Sequence, residues 1–342
     1  MRRAPLAALA VLALTFGLSQ PASAGEFHGV VSQSPLLTAL DYQRMGDGKA
    51  RTLRLLVVWK GVEPTLGSPR SFSRLDGIVG NAAANGVRIL PILTGEGPPG
   101  TQYPPTGRRS RKAFARFAAA LVARYGRGGK FWTGRPYYRP IKAWQIQNEQ
   151  NGRAYWGASP DPRKYAKLLK AAARAIKTRD RRAEIVLGGM FGTPSGRGAM
   201  TAWDYLKRLY RVRGIKRSFS TVALHPYARG LRGIKEQIAK VRKVMRQHGD
   251  RRAGLRLTEI GWGSGPKAAS PYNKGTTGQA TMLRKLFGLL EAKRRAWKIK
   301  GVNWFAWRDN PGVPCSFCPT AGLFTEGGTA KPAWGAFKLV AF

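Results

Sequence analysis

Eight short apolar runs recur along the chain, separated by amphipathic stretches. They cover residues 27–34, 53–59, 87–94, 141–148, 184–190, 221–225, 255–260 and 302–307. Near-continuous apolar runs of this length suit parallel strands covered on both faces. The stretches between them read as helices. Residues 111–125 carry Phe114, Phe117, Leu121 and Val122 at helical spacing. Residues 161–178 open with Asp161 at an N-cap position and Pro162 in the first turn. Ser73 with Asp76 reads as a capping box, and residues 234–247, 276–297 and 333–340 are further amphipathic stretches. Eight strand–helix pairs predict an α/β fold, a (β/α)8 TIM barrel, as one domain over residues 25–342. A doubly wound open sheet is the alternative. It would want a Gly-rich phosphate turn after the first strand, where Ser34-Pro35-Leu36 stands instead. The Gly- and Pro-rich segments 126–140 and 309–329 read as long loops.

In such a barrel, chemistry sits at the C-terminal ends of the strands. That rule sorts the 17 acids. Glu184 opens a strand and falls on the opposite face. Glu63, Glu96, Glu149, Glu259 and Asp309 lie near strand C-termini. Glu63 and Glu96 stand in Gly/Pro loops and are expected to be solvated, while Asp309 could bind a sugar hydroxyl or pair with Arg308. Glu149, in Asn148-Glu149-Gln150-Asn151, and Glu259, in Thr258-Glu259-Ile260-Gly261-Trp262, end apolar strands beside aromatic residues. Burial there would perturb a carboxyl pKa, which acid–base work requires. Two glutamates across a barrel mouth suit glycoside hydrolysis. One protonates the leaving oxygen, and the other attacks the anomeric carbon or activates water. Trp59, Asn148, His225, Tyr227, Trp262, Trp304 and Trp307 fall at or near the same strand ends. Aromatic platforms and amide or imidazole donors are what a sugar site needs. Core packing is the competing reading for each aromatic taken singly.

The order of these motifs resembles that of the clan A glycoside hydrolases, nearest to family 39 and to the cellulase-like members of family 5. The likeness covers essentially the whole mature chain. It implies that Glu149 is the acid/base, preceded by Asn148, and that Glu259 is the nucleophile of a retaining, double-displacement mechanism. Arg54 is similar to the strand-two arginine that supports the nucleophile. His225-Pro226-Tyr227 is similar to the strand-six His-x-Tyr whose tyrosine orients it. Trp307 is similar to the strand-eight tryptophan that floors the sugar site, and Trp59, Trp262 and Asn151 are carried as substrate-binding residues. Gln150 departs from the usual Pro after the acid/base. The implied substrate is a polysaccharide or oligosaccharide, with β linkages. A binding barrel that has lost turnover, and a polyanion-binding barrel used only as scaffold, are the alternatives.

The N-terminus reads as an export signal. Arg2 and Arg3 precede an apolar run, and Ala22-x-Ala24 suits cleavage after Ala24. A retained anchor is the weaker reading, since the run is short for a membrane span. The expected destination is therefore extracellular. Cleavage would lower the net charge from +43 to +41. Such a field draws polyanions, although the basic residues are spread along the chain and no nucleic-acid motif accompanies them. The expected partner is thus a glycan, anionic if the surface charge is matched to it, with no specific nucleic acid, no membrane span and a monomeric chain. Cys315 and Cys318 could close a local disulfide in an exported protein. His28, His225 and His248 lie far apart in sequence, so neither a metal nor a cofactor is expected.

Overall fold

The computed structural model describes residues 26–34, 36–157 and 159–341. The expected export signal over residues 1–24 lies outside them. Eight parallel strands close into a barrel in chain order. They are β1 His28–Val31, β2 Thr52–Val58, β3 Arg88–Thr94, β4 Ala143–Asn148, β5 Glu184–Phe191, β6 Thr221–His225, β7 Gly254–Ile260 and β8 Ile299–Phe305. β8 returns to β1, placing Gly29 opposite Asn303 and Val30 opposite Trp304. Every expected strand is present, with each end within three residues of its expected place.

Helices coat the barrel. The helix Arg108–Tyr125 buries Phe114, Phe117, Leu121 and Val122. Asp161 caps the helix Pro162–Arg179 by accepting from the backbone N–H groups of Arg163 and Lys164. The expected capping box at Ser73 is not formed. Ser73 is already the first helical residue, and Phe72 precedes it without a side-chain cap. Asp76 instead pairs with Arg124 and accepts from the Tyr125 hydroxyl at 2.7 Å. A capping box does form at Thr38, whose side chain and Asp41 cap the helix Ala39–Asp47 reciprocally. No helix among the described residues is long and apolar enough to cross a membrane.

Glu184 opens β5 at the N-terminal end of the barrel. It accepts from Arg256 at 3.0 and 3.2 Å and from Thr221 at 2.5 Å, with Lys300 at 3.6 Å. Burial would raise its pKa, but Arg256 and Lys300 outweigh burial and hold it down at about 2. A carboxylate depressed in the folded state adds stability above its unfolded pKa and loses it as pH falls through the folded value. The contribution is therefore complete above pH of about 4.5 and fades towards pH 2. Glu184→Gln should cost about 3 kcal/mol at neutral pH and flatten the stability curve across that window. Denaturant unfolding at pH 7 and pH 3 checks this; an equal cost at both would contradict it.

Candidate active site

Four strands converge on one cluster at the C-terminal mouth of the barrel. β2 supplies Arg54, whose side chain is fully buried and crosses the barrel interior. Its guanidinium donates to Glu259 at 2.6 Å, to Asn148 Oδ1 at 2.7 Å and to Gln145 at 2.9 Å. A buried guanidinium is tolerable only when its fork is filled in this way.

β4 supplies Asn148, which is followed by Glu149. In a regular strand, neighbouring side chains point to opposite faces. Asn148 and Glu149 nevertheless both reach into the mouth. The backbone permits it because Gln147 and Glu149 adopt left-handed conformations, with φ of 68° and 41°. Such angles are costly for non-glycine residues and persist where the surroundings hold them. Here the Glu149 N–H is held by Gly189 O at 2.9 Å, and Gln147 accepts from Thr94 at 2.7 Å.

β6 supplies His225, buried and bonded through Nδ1 to Glu149 Oε1 at 2.6 Å. Its Nε2 lies 3.0 Å from Thr258 Oγ1. The ring fits because β5 carries glycine at position 189, where a Cβ would stand 2.1 Å from His225 Nε2. β7 supplies Glu259, which also accepts from the Tyr227 hydroxyl at 3.0 Å. Tyr227 is in turn held by Gln237, which donates to its carbonyl at 2.9 Å.

The two carboxyl groups differ electrically. Burial raises the Glu149 pKa and prevails over its hydrogen bond to His225. Burial acts on Glu259 too, but the charges of His225 and Arg54 and the bonds from Arg54 and Tyr227 outweigh it, so its pKa falls. One group thus favours the acid and the other the carboxylate, the division that acid–base catalysis needs. Both stay reachable, with side-chain exposures of 17% and 11%.

Glu149, His225 and Glu259 also present three donor atoms within 4.8 Å of one another. The spacing of the histidines in sequence did not suggest this. By ligand type alone the trio would suit a small divalent cation. Arg54 already stands 2.6 Å from Glu259, however, so a metal ion would meet a permanent positive charge.

Other expected site residues lie elsewhere. Trp59, Trp262 and Trp307 are fully buried and offer no face to a sugar. Trp59 stacks on Phe117 in the helix layer and donates to Glu63. Trp262 donates to Ala228 O at 2.8 Å. Trp307 packs against Phe324 and Trp334 and donates to Asp41 at 2.9 Å. Asn151 is buried as well, and its amide bonds Phe191 and Met200, stapling the loop to the end of β5. Glu63 is not solvated but 2% exposed, organising its own loop through Gly67 and Arg70. Asp309 pairs with Lys331 at 2.9 Å, while Arg308 turns to Asp41. Cys315 and Cys318 form a disulfide with Cα atoms 5.3 Å apart.

Aromatic residues that the sequence reading passed over pack around Tyr227. Phe305, the last residue of β8, sits 6.1 Å from the Tyr227 ring, and Phe191 and Phe317 flank that ring at 5.6 and 5.3 Å. Tyr155 is partly exposed, and burial together with the charges of Glu259 and Glu149 raises its pKa. A terminal aromatic on β8 was the one signal that could have found Phe305.

No protein-family profile and no curated protein matches the chain. Solved structures do. A family 39 glycoside hydrolase from Bacteroides cellulosilyticus WH2 superposes with a TM-score of 0.69 at 20% identity, over 93% of this chain and 63% of that one. The barrel is the one seen in solved family 39 glycoside hydrolases. A monomeric β-xylosidase from Caulobacter crescentus CB15 gives 0.62 at 17% identity, over 92% of this chain and 68% of that one. An intracellular xylanase from Thermoanaerobacterium saccharolyticum gives 0.61 at 18%, over 91% and 95%. The chain thus spans under two thirds of the Bacteroides enzyme, and identities at this level speak for the fold.

Proposed function

We propose that the protein is an exported, retaining glycoside hydrolase that cleaves β-linked polysaccharide or oligosaccharide chains. The observation that carries this reading is the opposed pair of carboxyls, Glu149 held towards the acid and Glu259 towards the anion. Their spacing supports retention. One oxygen of each carboxyl lies within 4.8 Å of the other, closer than the about 6.5–9.5 Å between the carboxyl groups of inverting sites.

In the first step, Glu259 attacks the anomeric carbon while Glu149 gives its proton to the departing glycosidic oxygen. A covalent glycosyl-enzyme results. In the second step Glu149, now a carboxylate, takes a proton from water, which attacks the anomeric carbon and releases Glu259. Asn148 accepts from Arg54 through Oδ1, which leaves its Nδ2 to donate to the sugar 2-hydroxyl. That contact strengthens as the ring flattens in the transition state.

Fold neighbours add support for the substrate class. The Thermoanaerobacterium xylanase was solved as glutamate-to-alanine variants holding xylotetraose and xylotriose. Its intracellular setting means that the barrel itself does not fix the compartment. Export rests on Arg2, Arg3 and the Ala22-x-Ala24 site. Monomeric action is in keeping with the Caulobacter xylosidase.

The test is a hydrolysis screen of the purified chain on aryl β-glycosides and polysaccharides, with product length and first-formed anomer measured by NMR. Binding without turnover by the unmodified protein would replace this reading with that of a non-catalytic glycan binder. An inverted first product would remove retention. On a substrate that is turned over, kcat/KM should follow a bell in pH. Its acid limb should lie below the ordinary glutamate range and its basic limb above it, from the opposite shifts of Glu259 and Glu149. Glu149→Gln should remove the basic limb.

A further inference from the structure

The N-terminal end of the barrel, opposite the candidate active site, holds a hollow of about 220 Å³ whose charged wall is Arg88, Arg127, Lys142, Arg182 and Arg256 with Glu26 and Glu184. That is far above the ~10–15 Å³ needed to hold one water. Acids near it are few. Glu26 pairs with Arg88 and lies 3.9 Å from Lys142. Glu184 is shared by Arg256 and Lys300, and Asp180 takes Arg127. Arg182 has no acidic partner among the described residues. The cations feel one another. Burial first, and then the charges of Arg139, Arg127 and Arg256, lower the Arg88 pKa to about 10. Lys142 is lowered by burial and by Arg88, Arg127, Arg139 and Arg182.

A second hollow, of about 440 Å³, opens at the start of β7 and β8 beside Lys300, and Arg252, Arg294, Arg295 and Lys298 line it. Two adjacent concave sites, each with surplus positive charge, suit a ligand that carries repeated anions. Concave walls of one sign also concentrate the field. No aromatic residue lines either hollow. Single-stranded nucleic acids are usually gripped through base stacking on such residues. An anionic glycan needs no stacking here, only the cations that the local acids leave over, Lys142 and Arg182 in the first hollow and Arg252, Arg294, Arg295 and Lys298 in the second, to meet its sulfate or phosphate oxygens.

We propose that this end of the barrel binds an anionic glycan through its sulfate or phosphate groups, away from the catalytic mouth. The assignment stands on the charge lining alone and does not depend on turnover.

The test measures binding of the full mature chain to dextran sulfate, with neutral dextran and single-stranded DNA of matched charge as comparators. Two doubly substituted proteins remove the same charge from different places. Lys142→Ala with Arg182→Ala strips the hollow, whereas Lys235→Ala with Lys243→Ala strips the exposed face of the helix Leu231–Gln247. Dextran sulfate should bind and neutral dextran should not. The first pair should weaken binding at least tenfold and the second less than about twofold, with a shallower salt dependence only for the first. Equal losses from both pairs would show a diffuse surface effect and overturn the proposal. So would DNA binding as tightly as dextran sulfate. Thermal unfolding of both proteins separates lost binding from lost folding.

Discussion

Glu259→Gln should lower kcat on any glycoside the protein hydrolyses by a factor on the order of 10⁴ or more, with little effect on substrate binding. An amide cannot form the glycosyl ester, and the neighbouring Glu149 is bonded to His225 and assigned to the departing oxygen. Glu149→Gln should behave differently, because its task depends on the leaving group. Substrates with poor leaving groups need a proton on the departing oxygen, so they should lose about 10²–10⁴-fold. Activated aryl glycosides leave without it, and their first step should be nearly unimpaired, so that glycosyl-enzyme accumulates. Rapid-mixing kinetics across a series of aryl leaving groups would show the contrast. Equal losses from Glu149→Gln for good and poor leaving groups would remove it from the acid role. Retention of activity by Glu259→Gln would remove the nucleophile assignment.

The second large effect is expected at Arg54. Arg54→Met removes a fully buried cation whose fork is shared among Glu259, Asn148 and Gln145. Breaking such a pair from one side leaves the other charge buried without compensation, at a cost of about 3–5 kcal/mol. The same loss changes the chemistry. Without Arg54, burial acts on Glu259 less opposed, so its pKa should rise and carry the acid limb of the pH profile upward. Arg54→Lys should keep part of the charge effect but lose the bonds to Asn148 and Gln145, because one ammonium cannot reproduce the fork. Unfolding curves and pH–rate profiles of the two variants check both claims. An unchanged acid limb in Arg54→Met would mean that Arg54 serves the fold and not Glu259.

The barrel was legible because each strand is an apolar run long enough to register and bounded by turn residues. Glu149 and Glu259 were legible because strand ends are where a barrel exposes side chains. The tryptophans misled for a related reason. Trp59 and Trp307 lie just past the last residues of β2 and β8, where the chain has already turned to the helix layer. One or two residues decide between the mouth and the core there, and linear spacing does not resolve that. Asn151 and Glu63 share the same cause, since both sit in loops folded back on themselves. Phe305 and Tyr155 each stand beside a tryptophan, Trp304 and Trp156, and residue type alone does not say which ring faces the mouth. The helix Ala202–Tyr210, capped by Thr201, was not among the expected amphipathic stretches. The left-handed turns at Gln147 and Glu149 were not legible at all. Residue type favours neither, and only the closed barrel imposes them.

The Arg54–Glu259 contact spans 205 positions of chain, and the Glu149–His225 contact spans 76. Nothing local can assemble these groups, because each partner arrives on a different strand. Loop closure over such distances is among the slowest events of folding. Catalytic competence should therefore appear only at the last stage of refolding, after most helical structure has returned. A circularly permuted or split chain would regain it only on sealing the same ring of strands, which makes turnover itself a gauge of whether the barrel has closed.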